Sequence, residues 1–248
     1  MWSPKGGRLA YALIRVGQIE TINADGTRRH RVTREPQNSL LTPLEWSRDG
    51  KRILYTATVV PAGPDLWTMS SAGTDLKRVT NNRIDENDPA WSPDGHVIAF
   101  ARWSAPDKGG NQTEAIYTIR PDGTGEHLLI GGSKTTYSAS NPTWSPDGKR
   151  IAFTRGYSSE PSGLFVANAD GSHARRLAKE IDSEPAWSPD GTRIASAYRD
   201  VVTLLRLDGT GKTSFGVSIG RCLDLAWSPD GQRFALGCGD EYTKDGGI

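Results

Sequence analysis

Three observations predict an all-β fold built from repeated small sheets. The pentapeptide Trp144-Ser145-Pro146-Asp147-Gly148 recurs, intact or varied, six times along the chain, and successive tryptophans are separated by 44, 45, 53, 43 and 40 residues. Between the copies lie short apolar runs bounded by turn residues, and nothing carries the 3.6-residue period of a long amphipathic helix. A period in the forties of this make-up is what stacked four-stranded sheets produce. The sequence therefore predicts a six-bladed β-propeller of four-stranded antiparallel blades, with the first and last blades incomplete, as one domain over residues 1–248. The blade divisions fall at about 2–43, 44–89, 90–142, 143–185, 186–225 and 226–248.

Each residue of the pentapeptide has a local role. Proline presets φ at the first central position of a type I turn, aspartate suits the next, and glycine takes the left-handed position that returns the chain antiparallel. The other copies are Trp91 to Gly95, Trp187 to Gly191 and Trp227 to Gly231, with Trp46-Ser47-Arg48-Asp49-Gly50 and Trp2-Ser3-Pro4-Lys5-Gly6 as variants. The tryptophan ends one strand, A. Strand B follows each turn: Arg8 to Ile14, Arg52 to Thr58, Val97 to Arg102, Arg150 to Arg155, Arg193 to Tyr198 and Arg233 to Cys238. Strand C includes runs such as Gln18 to Ile22, Leu66 to Met69, Ile116 to Ile119 and Leu164 to Ala167, and a second turn, Asp25-Gly26 and its counterparts Ala72-Gly73, Asp122-Gly123, Asp170-Gly171 and Asp208-Gly209, leads to strand D. On this count the first unit has three strands, the four central ones sixteen and the last two. A closed ring of six would hold twenty-four, so either the sequence is truncated or the ring has a gap. For Trp, Pro, Asp and Gly the expectation is packing and turn formation, since a buried indole removes roughly 150 to 250 Å² from water, several kcal/mol at ~25 cal/mol/Å² as an upper bound.

Bulk properties exclude some function classes. A net charge of +1 with acids and bases interleaved gives no electrostatic footprint for nucleic acid. Mean hydropathy is −0.54, no apolar run approaches the ~20 residues of a membrane helix, and residues 1–13 lack the pattern of a signal peptide. The chain reads as soluble. Two cysteines, Cys222 and Cys238, form neither a disulfide framework nor a zinc quartet. Pairing Ser228 with Gln232 places them opposite one another, either as free thiols or as a cross-strand disulfide. The long step of 53 comes from Trp103 to Glu114, which swells a B–C loop containing the sequon Asn111-Gln112-Thr113. Basic residues of strand D (Arg28, Arg29, Arg31, Lys77, Arg78, Arg175, Arg176) are expected to keep an outer edge from pairing rather than to bind an anion.

Pro142-Thr143-Trp144-Ser145-Pro146-Asp147-Gly148 with Ile151-Ala152-Phe153, and Pro89 to Gly95 with Ile98-Ala99-Phe100, resemble the repeat of TolB-type β-propellers over essentially the whole chain. The resemblance implies the fold and, more loosely, a partner-binding scaffold outside the cytoplasm. The same repeat serves in the propellers of prolyl-oligopeptidase-like enzymes, in lyases and in sensor ectodomains. An amino-terminal TolB-like domain and an export signal are missing from the sequence.

Strand direction puts the A–B and C–D turns on one face and the variable D–A and B–C loops on the other, where binding loops are expected. Ahead of the tryptophans stand Glu86, Asp88, Asn141, Asp182, Glu184 and Asp224. The acids among them are expected to give the channel mouth a negative field for a cationic peptide segment or a hard metal ion such as Ca²⁺; no other cofactor is implied. The competing reading is solvated acids at strand starts. Trp103, Tyr137 and Tyr157 in the same loops are candidates for aromatic partner contacts or for lids on the sheets.

Enzyme signals are weak. Gly216-Val217-Ser218-Ile219-Gly220 matches a nucleophile elbow in letters, but no helix is predicted after it and all four histidines (His30, His96, His127, His173) precede Ser218. Gly211-Lys212-Thr213 lacks the glycine five residues earlier that a phosphate loop needs, Arg206 standing there. Histidines 30, 127 and 173 follow equivalent turns in different units and are expected to lie around the rim, apart from one another. The sequence reads as a non-catalytic propeller, monomeric unless its open ring edge pairs, binding a protein or peptide through its loop-rich face. The alternative is the gating propeller of a prolyl-oligopeptidase-like serine peptidase whose catalytic domain is absent from this chain.

Overall fold

The structure, a computed structural model, describes residues 1–13, 18–33, 41–58, 63–82, 84–104, 112–131, 138–156, 162–181, 183–208, 210–216, 221–228 and 230–239. Among them every regular element is a strand, and every pairing is antiparallel. The first sheet holds β1 (Arg8–Leu13), β2 (Gln18–Asn23) and β3 (His30–Arg31). Four four-stranded sheets follow. They are β4 (Leu41–Trp46), β5 (Arg52–Thr58), β6 (Pro64–Ser70), β7 (Lys77–Arg78); β8 (Glu86–Trp91), β9 (Ile98–Trp103), β10 (Glu114–Ile119), β11 (His127–Ile130); β12 (Ser138–Trp144), β13 (Arg150–Gly156), β14 (Gly163–Asn168), β15 (Arg175–Lys179); and β16 (Ala186–Trp187), β17 (Arg193–Tyr198), β18 (Val201–Arg206), β19 (Thr213–Gly216). A two-stranded sheet of β20 (Arg221–Trp227) and β21 (Phe234–Gly239) comes last. Five blades are thus formed, in the strand numbers the turns led us to expect, and the described part of the sixth unit is this pair.

The apolar core is not one mass but a series of layers, each shared by two neighbouring sheets. Ala10, Ile19 and Val32 of the first sheet meet Trp46, Ile53, Tyr55 and Met69 of the second. Leu54, Leu66 and Val79 of the second meet Trp91, Ile98, Phe100 and Ile119 of the third. The same arrangement repeats between the third and fourth sheets, with Ile116 against Phe153 and Phe165, and between the fourth and fifth, with Leu164 against Trp187. Alternation along a strand explains it: Ile53 and Tyr55 face the sheet before, Leu54 the sheet after. The motif tryptophan always lies on the side of the preceding blade. Trp187 and Trp227 also donate their indole N–H groups to the carbonyls of Thr143 and Ala186 one blade back, each at 3.1 Å. Trp46, Trp91 and Trp187 are buried, whereas Trp2, expected to anchor the first sheet, is 47 % exposed.

The pentapeptide forms the expected turn. The N–H of Gly148 donates to the carbonyl of Ser145 at 2.8 Å, the N–H of Ser145 to that of Arg150 at 2.9 Å, and Gly148 has φ 69°. Serine does more than the sequence suggested. Ser145 Oγ donates to Asp147 Oδ1 at 2.6 Å and accepts the N–H of Arg150 at 2.9 Å, and Asp147 accepts the N–H of Lys149. The same clamp recurs at Ser47, Ser92, Ser188 and Ser228. In the first copy Lys5 replaces the aspartate, and Ser3 Oγ only accepts the N–H of Arg8, at 3.2 Å.

Cys222 and Cys238 are register partners, as expected, though by another route. Near the turn Trp227 pairs with Phe234, one residue out from the predicted register, and a bulge between Cys222 and Asp224 restores the offset. Their side chains lie outside the described residues.

Candidate functional site: the axial channel and its mouth

Strand A, present in every sheet but the first, runs toward the turn face, so its tryptophan sits near the turns and its early residues at the opposite end. These segments border a cavity of about 170 Å³ whose wall takes residues from all six repeat units, among them Met1, Glu45, Asp88, Asn141, Glu184 and Leu225. Three of the residues expected at the mouth, Asp88, Asn141 and Glu184, are therefore brought together on one surface.

Asp88 and Asn141 owe their placement to backbone geometry. Strand A is bulged between Asn87 and Ala90 in the third sheet and between Ser140 and Thr143 in the fourth. The two residues take φ of 49° and 50°, a left-handed conformation that Asp and Asn tolerate better than other side chains. The bulge aims both at the axis. Asp88 accepts the N–H of Asn141 in the next blade at 3.1 Å, and Asn141 Nδ2 donates to Thr154 Oγ1 at 3.0 Å. Burial raises the Asp88 carboxyl above its ordinary range.

Glu86 does not belong to the mouth. It is fully buried inside the third sheet, where it takes Arg102 Nε at 2.9 Å, Thr80 Oγ1 at 2.7 Å and Asn82 Nδ2 at 2.7 Å. Two residues before Asp88 on the same strand, it precedes the bulge between Asn87 and Ala90, stays in regular register opposite Arg102 and points into the blade. Trp103 is not in a loop: it is the last residue of β9, opposite Glu114. Asp182, Tyr137, Tyr157, Asn111 and Ser218 lie outside the described residues, as does the side chain of Asp224, whose backbone pairs with Gly237.

Two carboxyls that the sequence reading passed over complete the electrostatics. Glu45, directly before Trp46, accepts the N–H of Trp91 from the next blade. Burial in the channel wall pushes its carboxyl up to about 8; the Trp91 N–H opposes the shift and the charge of Glu184 adds to it. Glu114 is pushed up to about 7 by burial and then by the charge of Asp88, with the Ser140 hydroxyl opposing. Neither was legible by position, because Glu45 stands where four of the other units have Ala or Thr and the first has Met, and Glu114 lies on strand C. Around the rim, two of the strand-D bases are answered locally: Arg29 pairs with Glu20 at 2.5 Å and Arg78 with Asp65. His127 bonds Thr118 and His173 sits by Asn168, in different blades, and among the described residues no three His, Cys, Asp or Glu side chains converge as metal ligands.

This fold and this cavity define a β-propeller with carboxyls in the wall of its axis. No protein-family model matches the chain. TolB of the Tol-Pal system from Francisella tularensis is 30 % identical over 235 residues, covering 77 % of this chain and 51 % of the relative. The crystal structure of TolB from Acinetobacter baumannii superposes with a TM-score of 0.74 at 22 % identity, over 91 % of this chain and 55 % of that one. The chain is a TolB-like β-propeller, and it spans about half the length of the relatives it matches. An oligogalacturonate lyase in complex with manganese shares the fold at a TM-score of 0.69 and 13 % identity, over 96 % of this chain and 69 % of that one. At that identity the likeness is one of architecture alone.

Proposed function

We propose that this chain is a non-catalytic propeller that holds a cationic segment of a protein or peptide partner at the mouth of its channel. The observation that carries the reading is the convergence of Glu45, Asp88 and Glu184, from three different blades, on one small cavity. Low-dielectric walls focus the field of such a cluster toward an incoming cation, and the raised carboxyls of Glu45 and Asp88 mark sites where a positive charge would be welcome. Asp224 holds the sequence position of Asp88 and Glu184 and joins the proposal, as do Trp103, Tyr137 and Tyr157 as aromatic contacts; Asp182 holds that of Glu86, whose carboxylate is spent inside its own blade, and has no part in it. A hard cation such as Ca²⁺ would compete for the same oxygens. The TolB likeness supports a binding role over a catalytic one.

The test is a fluorescence anisotropy titration with a Lys/Arg-rich decapeptide. The combined variant Glu45→Gln, Asp88→Asn, Glu184→Gln, Asp224→Asn is expected to lose at least about tenfold in affinity. Asn141 already shows that an amide accepts the Asp88 backbone conformation, so the fold should survive, as circular dichroism would verify. Unchanged affinity in a folded variant rejects the proposal.

A further inference from the structure

The repeats allow one blade to be compared with another position by position, and the comparison singles out Arg155. In the third sheet Arg102 lies over the rings of Phe100 and Tyr117, with Cζ 5.0 and 4.9 Å from their centroids. Two carboxylates neutralise it: Glu86 on Nε at 2.9 Å and Glu126 on Nη1 and Nη2 at 2.5 and 2.8 Å. In the fourth sheet Arg155 repeats the stacking, 5.5 Å from Phe153 and 5.3 Å from Phe165.

Register gives the counterparts of the two acids. Glu86 pairs with Arg102 across strands A and B, and the residue paired with Arg155 is Ala139. His127 pairs with Thr118 as Arg175 pairs with Val166, so the residue in the place of Glu126 is Ala174. Both carboxylates have become alanine while the guanidinium and its aromatic shelf remain. Among the described residues no carboxylate pairs with Arg155. Its Nη2 donates to the Gly131 carbonyl at 3.3 Å, and its Nε–H is buried with no acceptor.

A third acid is lost beside it. Asp65, which holds Arg78 in the second sheet, has Gly163 as its counterpart, and the side chain of Arg176 runs over that glycine. A buried donor without an acceptor costs free energy in the folded state, and a flat guanidinium held in one plane by two rings suits a two-oxygen acceptor better than any point anion.

We propose that Arg155, at the loop-rich end of β13, is a carboxylate-binding site for an Asp, Glu or C-terminal carboxylate of a protein partner, which supplies the oxygens that Glu86 and Glu126 supply to Arg102. The site lies in the fourth blade, apart from the acidic channel, and presents the opposite charge. It does not depend on the channel reading, because the cationic peptide that tests the channel would not bind here.

The experiment follows the side-chain Nε–H signals of Arg155 and Arg102 by ¹⁵N–¹H NMR while the whole chain is titrated with succinate, and separately with inorganic phosphate. The expected result is a saturable shift of the Arg155 signal with succinate, in the millimolar range, and none at Arg102, whose acceptors are already in place. Ala174→Glu, at an exposed position, restores the missing carboxylate and should abolish the response. In Arg155→Lys the backbone amides of Gly131 and Gly163 should no longer move. Equal or non-saturating shifts at both arginines, a response to phosphate alone, or an unchanged response in Ala174→Glu would each overturn the proposal.

Discussion

Ser145 shows how much of a turn can hang on a hydroxyl that looks incidental in the sequence. It closes the A–B turn by accepting the Arg150 N–H and donating to Asp147, whose carboxyl is thereby held below its ordinary range. Ser145→Ala leaves that N–H and the aspartate short of partners, and we expect a loss of about 1–2 kcal/mol in denaturant unfolding. The sign with pH follows from the lowered aspartates of these turns, Asp190 falling to about 2. A carboxyl with a depressed folded value contributes stability above its unfolded value near 3.8, and that contribution fades as pH falls through the folded one. The deficit of the variant should therefore be full at pH 7 and shrink between about pH 4 and 2. A deficit that stays constant down to pH 2 would show that the Ser–Asp bond carries none of it.

At the level of elements, the C–D turns do more than reverse the chain; they fit each blade against its neighbour. A Cβ at Gly73 would stand 2.0 Å from the Val32 carbonyl of the preceding blade, and one at Gly171 2.4 Å from that of Leu129. At Gly26, of similar φ (82° against 79° and 81°), it would meet nothing within 4 Å. Gly26→Ala thus measures the backbone strain alone, about 1–2 kcal/mol, and Gly73→Ala must add the clash to it. We expect Gly73→Ala to cost clearly more in urea unfolding than Gly26→Ala. Equal costs would mean that the turn is not seated on the neighbouring blade. The glycines were legible as turn formers, since Asp-Gly between two apolar runs is a local signal. Their role between blades was not, because it depends on contacts some forty residues apart.

Across the whole molecule, the fold was legible and the site only partly so, for one physical reason. The propeller repeats its own instructions, so tryptophan spacing and turn chemistry specify every blade, and β5, β13 and β17 begin where the turns put them. A functional site draws on what differs between repeats. Asp88, Asn141 and Glu184 could be found because they share a position, but Glu86 was misplaced by a bulge that alternation cannot reveal, and Glu45 and Glu114 broke the pattern. Of the two, Glu45 lines the cavity and now carries the pH dependence of the account. With the Glu45 carboxyl near 8 in the free protein, a cation in the channel must expel its proton at low pH and need not above pH 8, so binding tightens as pH rises.

The most direct test of the central claim is the affinity of the intact chain for the basic decapeptide by calorimetry at pH 6 and pH 9. The account predicts a rise of at least about tenfold, with protons released to the buffer at pH 6 and the rise lost in Glu45→Gln. An affinity that is the same at both pH values, with no proton release, would contradict it.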